Sequence, residues 1–254
     1  MALILVIAGA LVTSHDAGGA IPDWPLSWGR LVPQLEGGIA YAWGHRVLAA
    51  TVAVLTLALA FRTRSRFAWL AFAMIVAQAL VGALVVKLVA PKLSTLLHAC
   101  LAQLCFGALV LHTIALRTRL VGLQKDPQTL AIVFLFCQTI LGAALRHHMI
   151  GAIPHIAGAV ITTIIVLWAV VPVMLANMVE AGSLLGLTAF QIFLGMGAYF
   201  ARTVDSPQPL PVMVWITAAH VAVGSMAFGA AIVLAVVVYW RRHLEGDLGG
   251  MAVA

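Results

Sequence analysis

Four histidines stand at corresponding places in four long apolar runs of this chain: His45, His98, His155 and His220. Hydrocarbon does not solvate polar side chains, so a histidine inside a membrane span usually binds a ligand or carries a proton. Residues four positions apart share one face of a helix. The residues four positions after these histidines are all small: Ala49, Ala102, Ala159 and Gly224. The pattern leaves room for a flat group against each helix.

Two helices of this kind, facing each other in a four-helix bundle, can hold a heme iron between two imidazoles. The spacing predicts two such sites, one from His45 and His98 and one from His155 and His220. A single histidine in an apolar run is as often structural as it is a ligand, and the fourfold recurrence favours iron. Zinc is disfavoured, because zinc sites are tetrahedral clusters and no carboxylate or thiol recurs beside these histidines.

The other five histidines have simpler interpretations. His15 and His243 fall in polar stretches, where solvent surrounds them. His147 and His148 follow a helix end and are either interfacial or close to a heme edge. His112 comes fourteen residues after His98, on nearly the same helix face. It is either a hydrogen-bonded core histidine, which we favour, or part of an inner site.

Arg46 follows His45 directly. Its guanidinium can neutralise a heme propionate, or it can reach past the apolar surface to the membrane interface, and the sequence leaves both roles open. Cys100, Cys105 and Cys137 lie in apolar runs at no zinc or redox spacing, which indicates small apolar core residues.

The elements that must position these histidines are membrane helices. The 254 residues are 63% hydrophobic and 9% charged, with a mean hydropathy of +1.10, which excludes a soluble domain. A membrane-spanning helix needs about 20 apolar residues. We predict an all-α membrane protein with eight transmembrane helices, at roughly 2–14, 39–61, 67–88, 93–116, 127–146, 151–176, 180–201 and 211–240.

The basic residues predict how the helices cross the membrane. The net charge of +6 indicates no nucleic-acid partner, because the basic residues lie in short loops, where they set topology. One set of loops holds the clustered ones: Arg62, Arg64, Arg66, Arg117, Arg119, Lys125, Arg241 and Arg242. This bias predicts that both termini lie in the cytoplasm. We expect the protein in the cytoplasmic membrane of a prokaryote. The apolar N-terminus is interpreted as a retained first span, with a cleaved signal as the alternative.

The chain also repeats itself. Each odd-numbered span carries a glycine near its end, within similar strings: Ile7–Val12, Leu80–Val85, Ile140–Leu145 and Phe193–Ala198. Small residues there let a neighbouring helix or a flat ligand approach the backbone. The repeat predicts two pseudo-symmetric four-helix halves, residues 1–122 and 123–254, related by a two-fold axis along the membrane normal.

Three passages resemble one known family. They are the run from Gly9 to Gly18, the loop Pro22-Asp23-Trp24-Pro25 with Gly29-Arg30, and Trp43-Gly44-His45-Arg46. Together with a histidine in each even-numbered span, they resemble the heme A synthase family. The resemblance extends over nearly the whole chain.

The resemblance implies oxidation of the C8 methyl group of heme O to the formyl group of heme A, for heme-copper oxidase biogenesis. It places the substrate heme between His45 and His98, and an electron-passing heme b between His155 and His220. The implied partners are the lipid membrane, heme O synthase and a respiratory oxidase complex. Apolar faces left over from one bundle are also compatible with a homo-oligomer.

One position departs from the family pattern. The family has a glutamate, thought to be catalytic, three residues before the first histidine, where this chain has Ala42. Glu36, nine residues upstream of His45, is a weak candidate for its role, so the catalytic residue is unknown. The alternative is a non-catalytic bis-histidine heme protein, either an electron carrier or an accessory subunit of a respiratory complex. A transporter is disfavoured, because the membrane-buried parts of the spans contain no Asp or Glu.

Overall fold

The protein is all-α. The computed structural model describes residues 1–87, 92–115, 126–176, 178–203 and 210–251, and only the backbone of Ala115 and of residues 243–251. These residues form the helices α1 (Ala2–Ser14), α2 (Gly37–Thr63), α3 (Arg66–Lys87), α4 (Lys92–Ala115), α5 (Pro127–Arg146), α6 (Ala152–Met174), α7 (Val179–Thr203) and α8 (Pro211–Met251). A single 3-10 turn, Ala17–Gly19, lies in the loop between α1 and α2.

Seven of these helices are long and apolar enough to cross a membrane, which confirms the prediction of an all-α membrane protein. The helix α1 is apolar, but its 13 residues give a length of about 20 Å, short for a full span. The count of eight spans therefore stays a prediction. The predicted spans match the helices to within a few residues, except that α8 runs on to Met251.

Several sequence predictions fall outside the described residues. The predicted ends of the third and fourth spans, at 88 and 116, are among them. So are Arg117, Arg119 and Lys125, on which part of the topology prediction depends. Glu180 lies in the first turn of α7, so the absence of Asp and Glu from the membrane-buried parts of the spans stays a prediction. A carboxylate at the end of a helix avoids the cost of burial in hydrocarbon.

Local sequence explains where several helices begin and end. The carboxylate of Asp126 accepts a hydrogen bond of 2.8 Å from the backbone N–H of Thr129, and Pro127 opens α5. This is a capped N-terminus with proline at its preferred first position. The helix α2 ends where Arg64 adopts a left-handed conformation and its N–H bonds Ala60 O at 2.9 Å.

The helices pack as two rings that share a seam. Around one ring, α1 packs on α2, α2 on α3, α3 on α4, and α4 on α1; α5 to α8 form the second ring in the same order. The seam is made by α1, α4, α5 and α8. Gly107 of α4 leaves room for Phe228 of α8, and Gly229 of α8 leaves room for Phe106 of α4. Small residues at such crossings let two helix backbones approach closely.

The interiors of the two rings differ. In α5–α8 one buried apolar cluster contains Ala131, Val166, Ala169, Val170, Met178, Ala181, Leu184, Ala227, Ala231, Leu234 and Val238. The corresponding cluster in α1–α4 contains only Val52, Ile75 and Cys105 among the described residues. The seam itself is polar at one point, where Gln103 Nε2 donates to Ser225 Oγ at 2.9 Å.

Candidate functional site

The four histidines lie at one end of the bundle, which we call the histidine end. The odd-numbered helices finish there and the even-numbered helices begin there. Each even-numbered helix contributes one histidine from its first three turns: His45 from α2, His98 from α4, His155 from α6 and His220 from α8. All four side chains are half-buried. The predicted placement at a common end of the spans is therefore what the fold produces.

The histidines come together in two pairs. The ring centroids of His45 and His98 are 6.4 Å apart, with an angle of 73° between the ring planes. The centroids of His155 and His220 are 6.3 Å apart, with an interplanar angle of 78°. The members of each pair come from helices that face each other across a ring of four. These are the pairs that the spacing predicts.

This separation suits a metal ion held between the two rings. A metal–imidazole bond is about 2.0 Å, and the ring centre lies about 1.1 Å beyond the nitrogen for ring bonds of about 1.33 Å. Two imidazoles on opposite sides of one ion therefore have centroids about 6.3 Å apart. Among the residues that the structure describes, no group of three or more His, Cys, Asp or Glu could hold a metal ion. Two protein ligands suit an iron whose other ligands come from a macrocycle.

A glycine of the preceding helix lies against each histidine ring. The contacts pair Gly9 with His45, Gly82 with His98, Gly142 with His155 and Gly195 with His220. A Cβ atom added to these glycines would lie 3.2, 2.9, 3.1 and 3.0 Å, respectively, from the Cε1 atom of the histidine. The sequence predicts that these glycines let a helix or a flat ligand approach. In the structure, what approaches each glycine is the imidazole itself.

Three of the four pair members have a buried ring nitrogen without a hydrogen-bond partner. These atoms are the Nδ1 atoms of His45, His98 and His220. A buried polar atom left unpaired costs about 1–3 kcal/mol, so such atoms call for a ligand or an ordered water. The spacing of the rings is that of two ligands on one iron, and heme binding by these histidines stays a prediction.

Sequence reasoning missed three glutamines beside these rings. Gln78, Gln138 and Gln191 each come four residues before a histidine-contacting glycine, and that recurrence is the signal that could have found them. Gln138 Nε2 lies 3.1 Å from His155 Nδ1 and 2.9 Å from His155 O. Gln191 Nε2 lies 3.2 Å from the other ring nitrogen, Nε2, of His220. The equivalent position of α1 is Leu5.

The contact made by Gln78 is different. Its side-chain Nε2 donates to the backbone oxygen of His98 at 2.7 Å. The pair formed by His155 and His220 is therefore the one whose rings contact glutamine amides.

Arg46 binds the loop that covers this end of α2. Its Nη1 donates to Leu26 O at 2.7 Å and to Ser27 Oγ at 3.4 Å, and its Nη2 donates to Ile21 O at 3.3 Å. Trp43 Nε1 donates to Leu31 O at 2.9 Å. In the structure, therefore, Arg46 anchors residues 21–31; the sequence had left a heme propionate and the membrane interface open as its partners. A role toward a propionate stays a prediction.

A tight turn within this loop is held by Asp23. Its Oδ1 and Oδ2 accept hydrogen bonds of 2.7 Å from the backbone N–H groups of Trp28 and Gly29. Both of these residues have positive φ, 56° and 69°. The N–H of Gly29, and then that of Trp28, lowers the pKa of the Asp23 carboxyl. The carboxylate form therefore stabilises the turn.

Basic side chains link the end of α5 to neighbouring helices at the histidine end. Arg146 Nη2 donates to Ser14 Oγ of α1 at 3.1 Å, and Lys92 Nζ of α4 donates to His148 O at 3.0 Å. Burial, and then the neighbouring Arg146, lowers the pKa of His147. His148 is exposed, whereas His147 is half-buried. These two hydrogen bonds join the end of α5 to α1 and α4, the two helices of the other ring at the seam.

The remaining predicted residues are not members of the two histidine pairs. Ala42 is buried, with 8% of its surface exposed, three residues before His45 on α2. Glu36 is exposed at the N-terminus of α2. His15 stacks on Tyr41, with centroids 3.8 Å apart. His112 is 1% exposed, and neither ring nitrogen has a hydrogen-bond partner, so the hydrogen bond favoured for it is absent among the described contacts.

Fold and site together define a class: an all-α integral membrane protein with two half-buried histidine pairs at one end of its helices. Comparison with known proteins finds similarity to heme A synthases. The chain is 30% identical over 161 residues to a heme A synthase of Bacillus licheniformis, covering 59% of this chain and 50% of that protein. It is 24% identical over 253 residues to a heme A synthase of Geobacillus thermodenitrificans, covering 91% of this chain and 78% of that protein. These matches show that the chain is similar to heme A synthases, in one case over most of its length.

Three further findings set the limits of this similarity. A segment of 57 residues, 22% of this chain, is 44% identical to a protoheme IX farnesyltransferase of Haloarcula marismortui, of which it covers 12%. The chain spans between 39% and 50% of the length of the first three relatives that it matches. No family model matches the chain.

Proposed function

We propose that this protein acts in heme A biosynthesis by oxidising the C8 methyl group of heme O to a formyl group. The observation that carries the proposal is the pair of histidine sites, each with centroids separated as two ligands of one iron require. The similarity to heme A synthases supports the reaction. The product would serve the assembly of heme-copper oxidases.

The two histidine pairs have different roles in this proposal. His45 and His98, in the half formed by residues 1–122, hold the substrate heme O. His155 and His220, in the half formed by residues 123–254, hold a heme b that passes electrons. When bound, heme supplies the oxidising chemistry with dioxygen or water. The protein's own contribution is to bind, orient and enclose the two hemes. Glycines leave room for the imidazole rings, and the loop anchored by Arg46 covers the first turns of α2.

The proposed setting is the cytoplasmic membrane of a prokaryote, with both termini in the cytoplasm. Seven apolar helices support the membrane location, and the clustered basic residues Arg62, Arg64 and Arg66 support the orientation. The histidine end then faces outward. Heme O synthase and a respiratory oxidase complex are the proposed partners.

The test uses the position that departs from the family pattern. Ala42 shares a helix face with His45, but an alanine cannot transfer a proton or stabilise a developing positive charge. We would produce the protein and Ala42→Glu in cells that supply heme O, and identify the bound hemes by extraction and mass spectrometry. Heme A or a C8-hydroxylated heme in the unaltered protein supports the proposal. His98→Ala is the control that removes one predicted ligand of the substrate iron.

A second candidate function is favoured by Ala42 itself. A bis-histidine heme protein without the carboxylate would carry electrons or act as an accessory subunit of a respiratory complex. It would bind heme b, show a reversible redox spectrum and leave heme O unchanged in both variants. Oxidation of heme O only by Ala42→Glu would identify a synthase scaffold that lacks one side chain.

A further inference from the structure

The loop between α1 and α2 presents large apolar side chains to the outside of the molecule. Five of them are exposed: Leu26, Trp28, Leu31, Val32 and Leu35. Leu31 is the most exposed, at 83%. An exposed apolar patch of this kind marks a surface that contacts another molecule or the membrane. We call these five residues the apolar loop.

Hydrogen bonds hold the centre of the apolar loop in one conformation. The backbone N–H of Ser27 donates to Arg30 O at 2.9 Å, and the N–H of Arg30 donates to Ser27 O at 3.1 Å. The carboxylate of Asp23 accepts the N–H groups of Trp28 and Gly29. The exposed side chains are therefore mounted on a fixed turn.

The apolar loop lies along the face of α2 that points away from the interior of its ring of helices. The interior face carries His45, whose ring meets that of His98 across the ring of helices. Trp43 comes two residues before His45, about 200° around the helix and so on nearly the opposite face. Its indole Nε1 donates to Leu31 O at 2.9 Å, which places Leu31 against the outward face.

The contacts with α2 also fix how far the loop reaches along the helix. Trp43 comes six residues after Gly37, the first residue of α2, which is about 9 Å along the helix axis. Arg46, three residues further on, donates to Leu26 O at 2.7 Å. The apolar loop therefore runs beside α2 at the level of His45, instead of standing above the helix ends.

The outward face of α2 continues below the loop as an apolar surface. Val47 lies one helical turn after Trp43, and it lines a shallow groove together with Ala50, Thr51, Val54 and Leu55. Val54 is 65% exposed. Because α2 is long and apolar enough to cross a membrane, this outward face is the one that it shows to lipid. The apolar loop is continuous with that face.

We propose that the apolar loop is embedded in the lipid leaflet at the histidine end of the bundle. Leu26, Leu31 and Val32 then contact acyl chains. Trp28 lies at the interface, where an indole keeps its apolar body in lipid and its N–H near water. Arg30, exposed beside it, reaches a lipid phosphate. The inference concerns the membrane alone and stands whether or not heme is bound.

The test measures the surroundings of a nitroxide label on the protein in lipid nanodiscs. The label is attached to Leu31→Cys in a chain whose three free cysteines, Cys100, Cys105 and Cys137, are replaced by alanine. Electron paramagnetic resonance then gives the collision rates of the label with molecular oxygen and with a water-soluble nickel chelate. Oxygen concentrates in hydrocarbon and the chelate stays in water, so their ratio reports lipid against water.

Two labelled positions serve as references. Gly18→Cys is the matched control for water, because Gly18 is exposed in the same connection between α1 and α2 and its would-be Cβ meets nothing within 4 Å. It lies beside the first turn of α2, since the would-be Cβ of Gly38 is 3.3 Å from Ala17 Cβ. Val54→Cys is the reference for lipid, on the outward face of α2.

We expect the ratio of oxygen to nickel collisions at Leu31 to be several-fold higher than at Gly18 and close to that at Val54. A ratio at Leu31 equal to that at Gly18 would place the loop in water and overturn the inference. Low collision rates with both reagents would also overturn it, because protein, either a second copy of this chain or another partner, would then cover the loop.

A second measurement keeps the native cysteines. The photocrosslinking residue p-benzoylphenylalanine is placed at position 31, and the protein is irradiated in the same nanodiscs. Mass spectrometry should find a phospholipid joined to residues 26–35. A cross-linked dimer, or no lipid adduct at all, would contradict the embedding of the loop in the leaflet.

Discussion

Adding one methyl group at Gly195 should loosen the His220 site. A Cβ at this position would lie 3.0 Å from Cε1, 3.6 Å from Nδ1 and 3.9 Å from Nε2 of His220. That contact is closer than side chains normally allow, so the ring must move by a few tenths of an ångström. A ligand nitrogen displaced by that amount no longer stands at bonding distance from an iron shared with His155.

The same helix offers a control for the size of the effect. Gly186, nine residues earlier on α7, has nothing within 4 Å of its would-be Cβ. Gly186→Ala and Gly195→Ala therefore gain the same helix propensity, up to about 1 kcal/mol, and differ only in packing. Overpacking typically costs about 1–3 kcal/mol. If that cost falls on the ligand geometry, heme binds about 5- to 150-fold more weakly.

The assay is the ratio of heme to protein after purification, followed by heme release to apomyoglobin. We expect Gly186→Ala to retain the content of the unaltered protein and Gly195→Ala to lose heme from the second pair. Gly82→Ala, with a contact of 2.9 Å to His98 Cε1, should empty the first pair in the same way. Equal heme content and equal release rates in Gly195→Ala and Gly186→Ala would refute the role given to the glycine contacts.

Three further predictions concern residues outside the pairs. His112→Leu should raise the melting temperature, because it removes a buried imidazole without hydrogen bonds, whose burial costs about 1–3 kcal/mol. A leucine is already found at the equivalent place in the other half, where Leu234 comes fourteen residues after His220. A lower melting temperature would mean that the His112 ring has a bound partner. Arg46→Gln should speed limited proteolysis between residues 15 and 36, since it weakens the hydrogen bonds that anchor the loop, and unchanged cleavage would contradict that anchoring. The turn held by Asp23 should be fully formed above the ordinary carboxyl pKa and should loosen as the pH falls through the lowered one. Faster amide exchange in residues 27–30 at low pH, corrected for intrinsic rates, measures this loosening, and Asp23→Asn should abolish its pH dependence.

Periodic features of the chain were predictable, and contacts made by irregular segments were not. Hydropathy predicts the helices because hydrocarbon excludes other structures, and the recurrence of histidines predicts their pairing because equivalent helices bring them to equal depth. The anchoring of Arg46 depends on the path of residues 21–31, which has no repeating pattern. The different partners of Gln78 and Gln138 were not predictable, because both glutamines have the same spacing to a histidine-contacting glycine.

The unequal interiors of the two rings bear on how the molecule opens. Eleven buried residues form the apolar cluster of α5–α8, whereas three form that of α1–α4 among the described residues. Proteins open first where few apolar contacts hold them, so α1–α4 should exchange amide hydrogens at a lower free energy than α5–α8. In the proposed assignment, the looser bundle receives a heme that must enter and leave at every turnover. The denser one keeps a heme that need never depart.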